Sequence, residues 1–352
     1  MASAAFPRSS WMAEDVGACK MLSPFQFCFP GTHDSGACLR LTGGPVLGLS
    51  PFLNCLSGMP GIRECLARWT ITQPGLTIYN QLMGGIRFLD LRIGTASHNI
   101  HGEEELTYIL THTFMVGYLE EALDSIVHFI DEHPTEMIVI AFVLSSGVEE
   151  DALQRFVESH LGSYACPESA LFPRNGAGAT ASATLPGPTV VQNTSVHSLT
   201  SAGHNLLLLG NVDQPDRSAS NPSNVWLDKS LLASGTFVSL CNVHAKTQLN
   251  RQQLKDYLAA IPEEKRRRHL YQLPHTVTPQ TSSIVWDVLT CRSLPDHARE
   301  MDATLPGFVL DELTRHERDA VNIITVDDYS HSDVVQVARQ LVRERWNTVS
   351  DH

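Results

Sequence analysis

Apolar residues fall into short runs separated by glycine, proline and polar clusters, and most runs read as strands. Residues 24–30 (PFQFCFP), 84–93 (GGIRFLDLRI) and 106–111 (LTYILT) are read as the first three. MIVIAFVL (137–144) is uninterrupted and apolar, as expected of a parallel strand buried on both faces. NLLLLG (205–210), TFVSLCNV (236–243), HLYQLPHTVT (269–278) and VNIITVDDY (321–329) supply further strands. Between them the period lengthens. In YLEEALDSIVHFIDE (118–132), Leu119, Leu123, Ile126, Phe129 and Ile130 share one helical face, and Pro134 stops the helix. EDALQRFVESHLG, residues 249–260 and SDVVQVARQLVRERW also read as helices. Strands alternating with helices predict a parallel α/β architecture, whose closed form is a single (β/α)8 TIM-type barrel, here irregular.

Two stretches interrupt the alternation. Residues 39–68 are apolar and broken by glycine and proline, a long loop after the first strand that ends in a short helix. Its part 41–60 either packs onto the barrel or, through Val46, Leu47, Leu49, Phe52, Leu53 and Leu56, forms a membrane-touching rim. Residues 166–203 shift to Ala, Gly, Ser, Thr and Pro, a low-complexity insertion between the halves. The expected barrel spans 20–346, with a first half 20–165 and a second half 204–346, and residues 1–19 lie outside it as an N-terminal extension.

The chain has 352 residues, 43% hydrophobic and 18% charged, enough for one large core. Its net charge of −13 argues against a nucleic-acid partner, which needs a basic surface. Eight cysteines without a CxxC pair read as reduced thiols. The N-terminus carries no apolar segment of signal-peptide length and no run reaches the length of a membrane span. The expected setting is cytoplasmic, with peripheral membrane contact, and the expected state a monomer. His98 and His101 in SHNIHGEEE are read as a solvated loop, and EEKRRRH (263–269) as a solvated helix end.

In a barrel, residues at the C-terminal ends of strands meet at one mouth. His33 and Asp34 follow the first strand, Arg92 comes late in the second, His112 ends the third, and Asp327 and Asp328 follow the last. Two imidazoles, a guanidinium and several carboxylates, with no metal-ligand set or cofactor motif, suit acid–base attack on a phosphodiester. One imidazole takes a proton from a hydroxyl, the guanidinium neutralises the non-bridging oxygens, and the second imidazole protonates the leaving oxygen.

FPGTHDSGA (29–37), GGIRFLDLRIG (84–94), THT (111–113) and VDDY (326–329) resemble the catalytic segments of the phosphatidylinositol-specific phospholipase C family. The resemblance is to its X-domain and metal-independent branch, which includes bacterial and kinetoplastid glycosylphosphatidylinositol-cleaving enzymes. It implies a phosphoric diester hydrolase or lyase acting on phosphatidylinositol or a glycosylphosphatidylinositol at a membrane surface. The products would be diacylglycerol and a cyclic inositol phosphate. By resemblance, His33 is the general base, oriented by Asp328, with Asp327 as the substitute if the register shifts by one. His112 is the general acid supported by Asp34, and Arg92 holds the phosphoryl oxygens, braced by Asp90. An arginine at 92, where the calcium-dependent branch has an acidic ligand, implies no metal. Asn242 and His244 stand where bacterial members carry an Asp and a Tyr for the sugar ring. FVLSS (142–146) and LLGN (208–211) lack the ring-binding lysine and arginine. Two alternatives therefore stay open: a catalytically weak lipid- or phosphoinositol-binding module, and a phosphodiesterase for another head group such as a glycerophosphodiester.

Overall fold

The computed structural model describes residues 8–38, 68–100, 103–145, 147–166, 190–210, 227–228, 232–234, 247–266, 269–277 and 292–350. Eight strands run parallel in the order β7-β6-β5-β2-β1-β10-β9-β8. They are β1 (Phe29–Thr32), β2 (Phe88–Ile100), β5 (Ile138–Leu144), β6 (Leu206–Gly210), β7 (Leu227–Asp228), β8 (Leu232–Ser234), β9 (Leu270–His275) and β10 (Ile323–Val326). Among the described residues β7 and β8 end the path without pairing, so the expected irregular barrel is open there. Helices Leu119–Glu132, Glu150–Leu161, Thr247–Ala259 and Val334–Ser350 follow strands, as the periodicity requires. The continuous run at β5 has Ile138, Val139 and Ile140 fully buried, in keeping with cover on both faces.

Three expectations change. The stretch 24–30 is not one strand. Pro24–Gln26 is a 3-10 turn with a capping box, Ser23 N donating to Gln26 Oε1 at 3.2 Å, so β1 starts only at Phe29. The run at 106–111 is not a barrel strand. It lies in β3 (Glu103–His112), which pairs antiparallel with β2 and then with β4 (Phe114–Tyr118). Only His101 and Gly102 separate β2 from β3, and a parallel crossover needs a dozen or so residues. Finally, the described part of the N-terminal extension, from residue 8, packs onto the barrel. Trp11 and Met12 are buried at its floor. Trp11 Nε1 donates to Gly85 O at 2.9 Å, and Met12 N to Glu136 Oε1 at 3.1 Å. Glu136 also holds Arg87, with Nη2–Oε2 at 2.6 Å and both side chains fully buried.

The insertion read at 166–203 is part helical: Val190–Asn193 and Val196–Ser201 are short helices, with Val191 and Val196 buried. The apolar loop 41–60, Asn242, His244 and the strand read at 236–243 lie outside the described residues. Among the described residues, Cys19, Cys28 and Cys166 are buried free thiols, and no helix is long and apolar enough to cross a membrane.

Candidate active site

The corner Thr32-His33-Asp34-Ser35 turns sharply off β1. Glycines flank it because nothing larger fits: a Cβ on Gly31 would sit 2.7 Å from the Phe88 ring, and one on Gly36 2.9 Å from Leu110. Polar side chains hold the corner from within. Asp90 N donates to Ser35 Oγ at 2.8 Å, and Ser35 Oγ donates to Thr32 O at 3.0 Å. Gln81 Nε2 donates to Ser35 O at 2.8 Å. Asp34 takes a left-handed backbone, φ 45°. Aspartate tolerates that region better than most residues.

The turn aims one carboxylate at two imidazoles and a guanidinium. Asp34 Oδ2 lies 3.0 Å from His112 Nε2 and 3.3 Å from His33 Nε2, and Oδ1 forms an ion pair with Arg92 Nε. The two imidazole centroids are 6.4 Å apart. Arg92 Nη2 is 3.7 Å from Asp90 Oδ2, and Asp34 N donates to that same oxygen at 3.2 Å. His33, Asp34 and Asp90 are the one trio among the described residues spaced closely enough to share a metal ion. The guanidinium already pairs with both of its carboxylates.

The imidazoles have different partners. His33 Nδ1–H donates to Asp327 Oδ1 at 2.9 Å, and Nε2 lies 3.0 Å from the donor Arg92 Nη2. That set suits a neutral ring whose Nε2 lone pair accepts from Arg92. His112 Nδ1–H donates to Thr70 O at 2.7 Å while Nε2 faces Asp34, so both nitrogens meet acceptors. That set suits a ring carrying two protons. Burial would lower the His33 pKa, but Asp34 and Asp327 outweigh burial and the opposing Arg92, and raise it to about 9. Protonated, Nε2 can donate to Asp34 Oδ2; deprotonated, it accepts from Arg92. For Asp34, burial is the largest single influence and raises the pKa; His112, His33 and Arg92 together hold it below the usual carboxylate range.

The carboxylate on His33 is therefore Asp327, not Asp328. Asp327 Oδ2 accepts from Val277 N at 2.7 Å, which completes its fixation. Asp328 turns the other way on a left-handed backbone, φ 46°, where Arg299 Nε donates to its Oδ2 at 2.9 Å and Ser330 Oγ to its Oδ1 at 2.7 Å. His33, Asp34, Asp90, Arg92, His112 and Asp327 converge at the mouth. Thr70, Thr72 and Gln73, in WTITQPG, also reach the site and carry no motif that marked them.

Part of the chain has curated relatives. A PI-PLC X domain-containing protein 1 from Danio rerio is 31% identical over 170 residues, covering 45% of this chain and 52% of the relative. Its Homo sapiens namesake is 29% identical over 144 residues, covering 39% and 43%. The matches thus span about half the length of the curated relatives. No family model matches the chain. Solved structures agree on the fold along nearly all of it. The phosphatidylinositol-specific phospholipase C of Listeria monocytogenes superposes with a TM-score of 0.57 at 15% identity, over 96% of this chain and 98% of that one. A variant of the Staphylococcus aureus enzyme gives 0.55 at 13% identity, over 95% and 96%. The fold is that of a phosphatidylinositol-phospholipase-C-like α/β barrel. Over the part matched by the curated relatives, the chain is similar to the PI-PLC X domain-containing proteins.

Proposed function

We propose that the protein is a phosphodiesterase that cleaves a phosphatidylinositol-type lipid at a membrane surface by acid–base catalysis between His33 and His112. The observation that carries this is the pair of unlike imidazoles, one backed by Asp327 and the other by Thr70 O, on either side of Asp34 and Arg92. His33 Nε2 takes the proton of a hydroxyl adjacent to the phosphodiester. The freed oxygen attacks phosphorus, and the bond from phosphorus to the diacylglycerol oxygen breaks. His112 Nε2–H protonates that leaving oxygen, giving diacylglycerol and a cyclic phosphate. Arg92 faces the negative charge that builds on the non-bridging oxygens. Attack from within the substrate needs no separately bound nucleophile.

A second reading has its own support. With the His33 pKa near 9, the free protein at neutral pH holds the base protonated, which favours binding a phosphodiester over cleaving it. One experiment separates the readings: incubation with mixed-lipid vesicles at pH 7 and pH 9, followed by mass spectrometry of released head groups. A cyclic inositol phosphate, more abundant at the higher pH, is the expected product. Vesicle binding without release at either pH would overturn the enzymatic reading, and a linear glycerol phosphate would redirect it to another head group.

A further inference from the structure

The three positive-φ non-glycine residues among those described are Asp34 (φ 45°), Thr113 (φ 66°) and Asp328 (φ 46°). Each directly follows a site residue: His33, His112 and Asp327. Such corners persist only where the surroundings over-determine them. One short segment touches all three loops. Thr72 Oγ1 donates to Asp34 O at 2.9 Å, while Asp328 N donates to Thr72 O at 2.6 Å. The adjoining Gln73 donates through Nε2 to His33 O at 3.3 Å and Val326 O at 3.1 Å, and its Oε1 accepts from Tyr329 N at 3.2 Å. Two residues upstream, Thr70 O takes the His112 Nδ1–H. Thr72 and Gln73 are fully buried and touch no reacting atom of the site.

From this we infer that Thr72 is a positioning residue: by tying the Asp34 corner to the Asp328 corner, it holds the Asp34 carboxylate between the imidazoles and the Asp327 carboxylate against His33. The inference rests on the acid–base reading above, and it separates from a structural role in what it moves. Thr72 reaches Asp34 O through its hydroxyl alone, beside the Ala37 N–H at 2.8 Å, so Thr72→Val removes the tie to the Asp328 corner and keeps the volume. A displacement of about 1 Å at Asp34 is enough to cost ~100-fold in turnover.

The test compares Thr72→Val, Thr72→Ser and, as a second probe of the same segment, Gln73→Met. Turnover of a short-chain, monomeric phosphatidylinositol is measured alongside the NMR titration of the His33 ring. In Thr72→Val, kcat should fall ~10–100-fold with KM little changed. The His33 titration should move to lower pH, because its carboxylate neighbours are no longer held close. Thr72→Ser keeps the donor and should restore both. Gln73→Met should show the same pair of changes and carries the test if Thr72→Val does not fold. A folded Thr72→Val or Gln73→Met with an unmoved titration would overturn the inference, as would failure of Thr72→Ser to rescue. If the wild type proves inactive, the proposed function fails on that arm, while the ring titration still decides whether Thr72 positions the site.

Discussion

Asp327→Asn is the substitution that most directly tests the geometry at His33. Both carboxylate oxygens accept: Oδ1 from His33 Nδ1 at 2.9 Å and Oδ2 from Val277 N at 2.7 Å. An amide has one accepting oxygen. The Val277 N–H belongs to the backbone and cannot retreat, so the amide oxygen turns to it and presents its NH2 group to His33 Nδ1. That forces the ring into the tautomer with the proton on Nε2, where the base must be bare. A wrong tautomer of this kind costs up to ~10⁴-fold in turnover. The charge change adds a second signature. Two unit charges ~4 Å apart interact by about 4 kcal/mol at an effective dielectric near 20. Each pKa unit corresponds to about 1.4 kcal/mol, so losing Asp327 should lower the His33 pKa by up to ~3 units from its raised position.

The assay is the pH dependence of cyclic-product formation on a short-chain substrate, followed by phosphorus NMR, with the His33 ring titrated in parallel. Asp328→Asn is the control. Its carboxylate bonds Arg299, Ser330 and His331 rather than the His33 ring, so it should keep most of the activity. An Asp328→Asn variant more impaired than Asp327→Asn would refute this assignment of the two carboxylates. So would an Asp327→Asn variant with normal turnover and an unmoved ring titration.

Other outcomes follow from the same coordinates. The folded-state pKa of His33 stands near 9 against an ordinary 6.5, so its protonation stabilises the fold fully below about pH 6.5, and this is lost as pH rises through 9. The loss is at most about 3 kcal/mol, readable as a fall in urea stability between pH 6 and pH 10. Glu136→Gln strips the buried partner from Arg87 and should cost about 3–5 kcal/mol in urea unfolding, since it leaves a guanidinium unpaired away from water. Activity should survive excess chelator, because Arg92 already carries positive charge to Asp34 and Asp90; loss of activity restored by calcium would contradict this. Thr113→Gly should relieve the cost of a β-branched residue at φ 66° and raise the melting temperature slightly, while lowering turnover by loosening His112. Destabilisation of Thr113→Gly would show that no strain resides there.

Much of the site was legible because its side chains sit in compact motifs at strand ends. His33, Asp34, Asp90 and Arg92 are where that placement puts them, while His112 reaches the mouth from the antiparallel β3 rather than from a barrel strand. The choice between Asp327 and Asp328 was not legible. Consecutive residues at the end of a strand point to opposite sides. Which one faces the mouth depends on where the left-handed turn begins, and nothing in VDDY marks Asp328 as its first residue. Thr70 and Thr72 were missed for a related reason: the groups that serve His112 and Asp328 are main-chain carbonyls, which leave no trace in residue type. The misreading of β3 has a physical cause. The apolar runs at 84–93 and 106–111 leave about a dozen residues between them, room enough for a parallel crossover, and the polar residues by which both strands extend into that stretch carry no apolar pattern. The apolar run at 106–111 was counted as a barrel strand because periodicity reports burial and not direction.

The barrel divides its labour along its axis. At the floor, ordinary backbone is locked by buried charge and aromatic packing: Arg87 on Glu136, the Arg87 guanidinium 4.8 Å from the Phe129 ring centroid, and Arg345 Nη1 on Phe27 O at 2.9 Å. At the mouth the order is reversed. Three residues in the left-handed region, at about 1–3 kcal/mol each, hold the loops that carry His33, His112 and Asp327. Those conformations cannot be maintained by the loops alone, so the mouth draws on the rigid strands below it and on the Thr70–Gln73 segment threaded between the corners. A substitution at the floor should therefore lower stability with little change in the His33 titration. A substitution at Thr72 should do the opposite. That contrast is the physical reason to place the Thr70–Gln73 segment with the site rather than with the core, although Thr72 and Gln73 are as buried as any core residue.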